Sequence, residues 1–346
     1  MIVPDPCVEV LVASYLEQDL IDRIAACDAR IRVSYAPELL PRPRWHSDHV
    51  GVPRELTAGE HDRWTSMLHT ADVMFDFDWR HPERTLEQSP NLQWIQATSA
   101  GAGQLIERFG LSHAPLTVTT AAGVHADPLA EFALAGILHF ARGLPRLIAD
   151  RRHRTWHKQE TTELAGRHAL IVGAGKIGSR TAELLRCFSV TSTGVARTPR
   201  PTAAPFDVVA TTDRIAEHLP TADILVISCA LTEHTRGLIG RRELAALPDG
   251  ALVVNLGRGP ILDEDALAEA LSTGRLGGAV LDVTSTEPLR KDSPLWSADN
   301  VILSPHSAAN VPSENRKIVD LFVENLGRYL SGESPLINEY DFDAGY

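Results

Sequence analysis

Three short segments in the second half of the chain carry an arginine, a glutamate and a histidine in settings that suit acid–base work. Asn255-Leu256-Gly257-Arg258-Gly259 follows one apolar run, Leu281-Asp282-Val283 leads on to Glu287-Pro288, and Ser304-Pro305-His306-Ser307 follows another apolar run. A planar guanidinium grips a carboxylate through paired hydrogen bonds and polarises a neighbouring carbonyl. An imidazolium donates a proton, and a carboxylate beside it orients the ring. These are the groups needed to reduce a keto acid, so Arg258, Glu287 and His306 are the candidate catalytic residues. Each also has an ordinary reading: a loop arginine on backbone carbonyls, a glutamate capping a turn, a histidine packed under a sheet. It is their shared placement at strand ends that favours chemistry, because ligands of a doubly wound sheet sit outside the carboxyl ends of its strands.

A second constellation lies upstream. Gly173-Ala174-Gly175-Lys176-Ile177-Gly178 follows Leu170-Ile171-Val172 directly and opens an apolar helix through Leu184 and Leu185. In such a G-x-G-x-x-G turn the first glycine makes the turn, the second admits a pyrophosphate, and the third lets helix and strand pack closely. The helix N-terminus then supplies amide donors and positive potential. About 20 residues further on, an NAD site usually presents Asp or Glu to the ribose 2′-hydroxyl. Here the stretch Gly194-Val195-Ala196-Arg197-Thr198-Pro199-Arg200 has no carboxylate. Arg197, helped by Thr198 and Arg200, suits a 2′-phosphate instead. NADP is therefore expected to be preferred, with NAD possible.

The elements that must position these residues form two blocks. The first has strand candidates at Val8–Val12, Asp72–Phe75, Leu92–Ile95 and Leu116–Thr119, with residues 37–53, rich in Pro, Arg and His, as a long loop. The second has them at His168–Val172, Val190–Val195, Ile224–Ser228, Ala251–Asn255, Ala279–Val283 and Val301–Ser304. These later runs lack period-2 alternation and read as strands buried on both faces. Strands alternating with helices predict an α/β fold with a doubly wound, Rossmann-type parallel sheet. Between the blocks Asp127 caps a helix with Pro128 at its first position, and Leu129, Phe132, Ala133, Gly136, Ile137 and Phe140 recur at helical spacing. Gly136 marks close packing against a neighbour or a partner subunit.

At 346 residues the chain is long enough for two domains. The formal charge of -12 argues against a nucleic-acid surface. No apolar run approaches the roughly 20 residues that span a bilayer, and Met1 to Cys7 does not read as a signal peptide. Cys7, Cys27, Cys187 and Cys229 are scattered, which suits a reduced, cytoplasmic protein. His46-Ser47-Asp48-His49 has metal-like residue types but no second cluster; it reads as solvated loop, and no metal is expected.

With GAGKIG, NLGRGPILDEDALAEAL, LDVTSTEPL, SPLW and NVILSPHSA in this order, the chain resembles the D-isomer-specific 2-hydroxyacid dehydrogenase family. Weaker agreement covers nearly all of it, including NLQWIQATSAGAGQL, GVHADPLAEFALAGIL and the terminal Gly345-Tyr346. The family's catalytic arginine, glutamate and histidine fall on Arg258, Glu287 and His306. The related formate dehydrogenases carry glutamine where Glu287 stands, which sets formate oxidation aside. The resemblance implies that the backbone of Ser99, Ala100, Gly101 and Ala102 binds the substrate carboxylate. It also implies that Cys229, Ala230, Thr235, Leu256 and Gly257 line the dinucleotide and that Asp282 contacts the nicotinamide amide. Ala230 stands where many members have proline. A dinucleotide domain over residues 127–308, inserted in a flavodoxin-like α/β substrate domain built from residues 1–126 and 309–346, is implied too, with substrate in the cleft and a homodimer built on the dinucleotide domain. The loop carrying Arg197 is most similar to that of the NADP-linked glyoxylate/hydroxypyruvate reductases. The expected activity is D-specific reduction of a small 2-keto acid; alternatives are a reductase for bulkier keto acids, with specificity set by loops such as Asp76-Phe77-Asp78-Trp79, and a dinucleotide-sensing protein resembling the corepressors on this scaffold.

Overall fold

The computed structural model describes residues 7–112, 114–199, 201–202, 204–343 and 345. Arg200 and Tyr346, both named above, lie outside the described residues. The chain divides into two compact units, Met1–His125 with Asn310–Tyr346, and Ala126–Ala309.

The first unit is built on β1 (Val8–Val12), β2 (Ile31–Ser34), β3 (Val73–Phe75), β4 (Trp94–Gln96) and β5 (Thr117–Thr119), ordered β2-β1-β3-β4-β5 with every pairing parallel. Successive residues of a strand face opposite ways. Accordingly Val10 and Val12 enter one apolar layer and Leu11 the other. The first layer is closed by the helix Glu314–Leu330, whose Ile318, Phe322 and Leu326 recur every four residues on one face. The Phe322 ring lies 5.3 Å from Phe75 and 5.1 Å from Trp94, all three buried.

The second unit carries β6 (His168–Val172), β7 (Thr191–Ala196), β8 (Val208–Thr211), β9 (Ile224–Ile227), β10 (Leu252–Asn255), β11 (Gly278–Leu281) and β12 (Val301–Leu303). They form one parallel sheet, ordered β12-β11-β10-β9-β6-β7-β8. Leu170 and Val172 join one apolar layer, Ala169 and Ile171 the other, so this sheet is covered on both faces. The sheet reverses its chain order between β6 and β9, which is where such folds bind dinucleotides.

Three sequence expectations change and that for Gly136 is narrowed. The edge strands β2 and β8 were not anticipated. The helix spans Ala126–Ala141, so Asp127 lies in its first turn and not before it; its carboxylate accepts from Arg180 Nε at 2.8 Å. A Cβ at Gly136 would collide with the methyls of Val280, so the close neighbour is the molecule's own β11. The segment His46–His49 is not solvated at its end: Asp48 and His49 are buried, Asp48 collecting the Arg44 guanidinium and the Gly51 amide, and His49 Nδ1 lying 3.1 Å from Ser14 Oγ.

Candidate active site

The three candidate catalytic residues come from loops after three adjacent strands, β10, β11 and β12. The loop after β10 is shaped by buried Asn255. Its Oδ1 accepts from the Gly257 amide at 3.1 Å and its Nδ2 donates to the Arg258 carbonyl at 3.3 Å. Glycine on both sides of Arg258 has a steric cause. A Cβ at Gly257 would press on the Cys229 carbonyl, and one at Gly259 would overlap the Thr284 backbone. Only a loop without side chains there fits between those after β9 and β11. Arg258 itself is partly buried, with Nη1 donating to the Gly257 carbonyl at 2.8 Å. Burial pulls its pKa down, against the opposing pull of the Glu287 and Asp282 carboxylates.

His306 occupies the left-handed region, φ +53°, which non-glycine residues enter rarely. Asp282, at the end of β11, holds it there. Its carbonyl accepts from the His306 amide at 2.8 Å, and its buried Oδ1 accepts from Ser304 Oγ at 2.6 Å, Ser307 N at 3.0 Å and Ala308 N at 2.9 Å. Sequence reading missed this use of Asp282, as it missed Asn255; the available signal was a polar side chain closing each of two wholly apolar strands. His306 Nδ1 donates to Glu287 Oε2 at 2.8 Å, leaving Nε2 as the nitrogen for a substrate. Burial alone would raise the Glu287 pKa. The hydrogen bond and charge of His306, the Thr284 amide and Arg258 outweigh it and hold this carboxyl below its ordinary value.

The glycine turn after β6 has the shape a pyrophosphate needs. Gly173 has φ +107°, and a Cβ there would strike the Cys229 backbone across the β6–β9 junction. A Cβ at Gly178 would run into the Gly173 carbonyl oxygen. Gly175 faces open space at the N-terminus of the helix Lys176–Arg186, so its backbone is available to a ligand. Lys176 is exposed and Ile177 half-buried beside it. Ala196 ends β7, with Arg197 and Thr198 exposed beyond it. After β9, Thr235 Oγ1 donates to the Ala230 carbonyl at 2.7 Å and closes the turn Cys229–Thr235; Leu256 is buried after β10. The chain's residues thus fit a dinucleotide along the carboxyl ends of this sheet.

In the first unit, Ser99, Ala100, Gly101 and Ala102 form the loop after β4. The Ser99 carbonyl accepts from the Ala121 amide at 3.0 Å, and the buried Ser99 Oγ has no partner among the described residues. His125, left unassigned from sequence, pairs through Nε2 with Glu314 Oε1 at 3.1 Å.

Residues 134–308 match the sequence profile described as D-isomer specific 2-hydroxyacid dehydrogenase, NAD binding domain. The chain belongs to this family. Among curated relatives, a glyoxylate/hydroxypyruvate reductase of Arabidopsis thaliana is 34% identical over 250 residues, covering 71% of this chain and 78% of the relative. A glyoxylate reductase of Aeropyrum pernix is 32% identical over 259 residues, 72% of this chain and 77% of that one. Among solved structures, the D-isomer specific 2-hydroxyacid dehydrogenase of Xanthobacter autotrophicus Py2, in complex with NADPH and MES, superposes with a TM-score of 0.77 at 28% identity over 99% of this chain and 100% of that chain. As a 2-hydroxyacid dehydrogenase the protein is an NAD(P)-dependent oxidoreductase of the α/β class.

Proposed function

We propose that the protein reduces small 2-keto acids of the glyoxylate and hydroxypyruvate kind to D-2-hydroxy acids, with NADPH preferred over NADH. The observation that carries this is the 2.8 Å pair of His306 Nδ1 and Glu287, beside a guanidinium that senses the same carboxylate. When bound, the dinucleotide supplies a hydride from C4 of its nicotinamide. Arg258 holds the keto acid and polarises its carbonyl, His306 Nε2 gives a proton to the carbonyl oxygen as the hydride reaches the carbon, and Glu287, bonded to Nδ1, orients the imidazole. The backbone of Ser99–Ala102 binds the substrate carboxylate. Gly173, Gly175, Lys176, Ile177 and Gly178 would hold the dinucleotide together with Cys229, Ala230, Thr235, Leu256 and Gly257, and Asp282 would meet the nicotinamide amide.

Support for NADP comes from the end of β7, where Ala196, Arg197 and Thr198 replace the usual carboxylate. The NADPH complex of the Xanthobacter relative is in keeping with it. The protein works as a cytoplasmic homodimer. Its four cysteines are unpaired, as a reducing compartment favours. The helix Leu144–Arg152 and its extension leave Leu147 and Ile148 exposed and Trp156 95% exposed, an apolar surface suited to a second copy.

The deciding experiment is NADPH and NADH oxidation with glyoxylate, hydroxypyruvate, and branched and aromatic keto acids. Higher kcat/KM with NADPH and the smaller acids is expected. Equal or better efficiency with NADH refutes the cofactor preference, and tight dinucleotide binding without turnover of any acid refutes the enzymatic reading.

A further inference from the structure

The loop after β4 is made of small residues, Ser99-Ala100-Gly101-Ala102. A backbone that holds a carboxylate must keep one shape, and side chains this short do little to fix it. The fixing comes from outside. At the start of the loop the Ser99 carbonyl accepts from the Ala121 amide at 3.0 Å, and just before it the Ala97 amide donates to the Thr119 carbonyl at 2.7 Å. The loop therefore leaves alongside β5 and its continuation. The other edge of that stretch is covered by a segment far along the chain. There the Tyr340 amide donates to the Val118 carbonyl at 2.7 Å and the Thr120 amide to the Asn338 carbonyl at 3.0 Å, with Thr119 and Glu339 in an antiparallel bridge. Asn338 Nδ2 also reaches the Ala122 carbonyl at 2.7 Å. Fully buried Asn325, on Glu314–Leu330, holds the same segment: Oδ1 accepts from the Ile337 amide at 2.8 Å and Nδ2 donates to the Ile337 carbonyl at 3.0 Å.

This path carries Tyr340 to the other end of the loop. Its side chain is buried in the apolar layer that holds Ala97, Ala102, Ile106 and Val118, with the Phe342 ring edge-on at 5.2 Å. Gly103 follows the loop and starts the helix Gly103–Arg108. A Cβ on it would stand 2.8 Å from the Tyr340 hydroxyl and 3.1 Å from the Gly345 carbonyl oxygen. Glycine weakens a helix; here the missing side chain lets the tyrosine close on the backbone.

We propose that Tyr340 is a positioning residue for the substrate-binding loop Ser99–Ala102, closing on Gly103 at one end while its own strand steadies the Ser99 end through β5 and Ala121. This rests on the reading that the loop binds the keto acid's carboxylate. Both ends of the loop then depend on the segment 337–345, and the amides between them are held at the spacing a carboxylate needs. Tyr340 acts through the backbone of Ala102 and Gly103, so its loss should be felt in substrate binding before it is felt in the chemical step.

The test is steady-state kinetics with glyoxylate and NADPH on Tyr340→Ala, Tyr340→Phe, Gly103→Ala and the double variant Gly103→Ala with Tyr340→Phe, each checked by thermal unfolding. Tyr340→Ala should raise KM for glyoxylate about tenfold or more while kcat and KM for NADPH change less than about threefold, because the loop loosens and the proton path is untouched. Tyr340→Phe keeps the ring and should stay within about twofold of wild type. Gly103→Ala drives a methyl group against the hydroxyl and should raise KM about fivefold. With the hydroxyl gone, the double variant should return to within about twofold of wild type. A general loss of stability would not produce that rescue, and it decides the matter if Tyr340→Ala does not fold. An unchanged KM in folded Tyr340→Ala overturns the proposal, as does a Gly103→Ala defect that Tyr340→Phe fails to relieve. Hydrogen exchange of the 99–103 amides gives a second reading without substrate: it should quicken in Tyr340→Ala and Gly103→Ala and slow again in the double variant. Exchange unchanged in both single variants also overturns the proposal. A wild-type protein inactive on every keto acid, with exchange responding as stated, would instead sink the functional reading and leave the loop's support standing.

Discussion

Glu287 is partly exposed, yet its carboxyl lies below its ordinary value because His306, the Thr284 amide and Arg258 all favour the anion over the opposing effect of burial. A depressed carboxyl contributes stability above its unfolded value of about 4.3 and loses it as pH falls through the lower folded value. Glu287 therefore stays ionised through neutral and mildly acid pH. Reduction should hold across that range and weaken where acid protonates Glu287 and removes the charge beside His306. Glu287→Gln keeps the shape but removes the charge, so kcat should fall about tenfold or more and the acid limb of the wild-type profile should vanish. Superimposable profiles of NADPH oxidation against pH for wild type and variant would show that the Glu287 charge has no part in the reaction. Arg258→Lys retains the charge and loses the planar fork. It should cost about a hundredfold in kcat/KM, divided between kcat and KM, with little change in melting temperature. The types and order of Arg258, Glu287 and His306 were legible from sequence because each sits in a motif. The supports, Asn255 and Asp282, were not, since what they do depends on which loops the sheet brings side by side.

At the scale of elements, two glycines in helices have opposite surroundings and should respond in opposite ways. Alanine is favoured over glycine in a helix interior by about 1 kcal/mol. At Gly136 a methyl group meets the branched side chain of fully buried Val280, and overpacking of this sort costs about 1–3 kcal/mol. The clash wins, so Gly136→Ala should destabilise. At Gly327, in Glu314–Leu330, a Cβ meets nothing, so Gly327→Ala should stabilise by about 0.5 kcal/mol. Denaturant unfolding followed by circular dichroism reads both, and a stabilised Gly136→Ala would contradict the packing described. Legibility followed burial here as well. Central strands such as Ile224–Ile227 are apolar throughout and were plain in the sequence, whereas β2 and β8 lie at sheet edges, are only partly buried and need no apolar run. The helix Ala126–Ala141 starts two residues before the expected Pro128, and the Asp127 carboxylate bonds Arg180, a partner 53 positions away.

At the scale of the whole molecule, the apolar surface on 144–156 should be covered by a second copy in solution. Sedimentation velocity should give a species of twice the 37.7 kDa chain mass. Replacing exposed Ile148 by Asp and Trp156 by Ala together should yield a monomer with unchanged helix content, since neither side chain belongs to a core. A wild-type protein that sediments as a single chain at micromolar concentration would refute the homodimer.

The path of the chain has a consequence for its birth on the ribosome. The segment 126–309 is complete in itself, but the sheet begun at Val8 waits for Ile318, Phe322 and Leu326 to cover Val10, Phe75 and Trp94. Of the two units, the one whose synthesis starts earlier is thus finished later. For most of synthesis its bare side is the stretch of nascent polypeptide most in need of a chaperone's shelter.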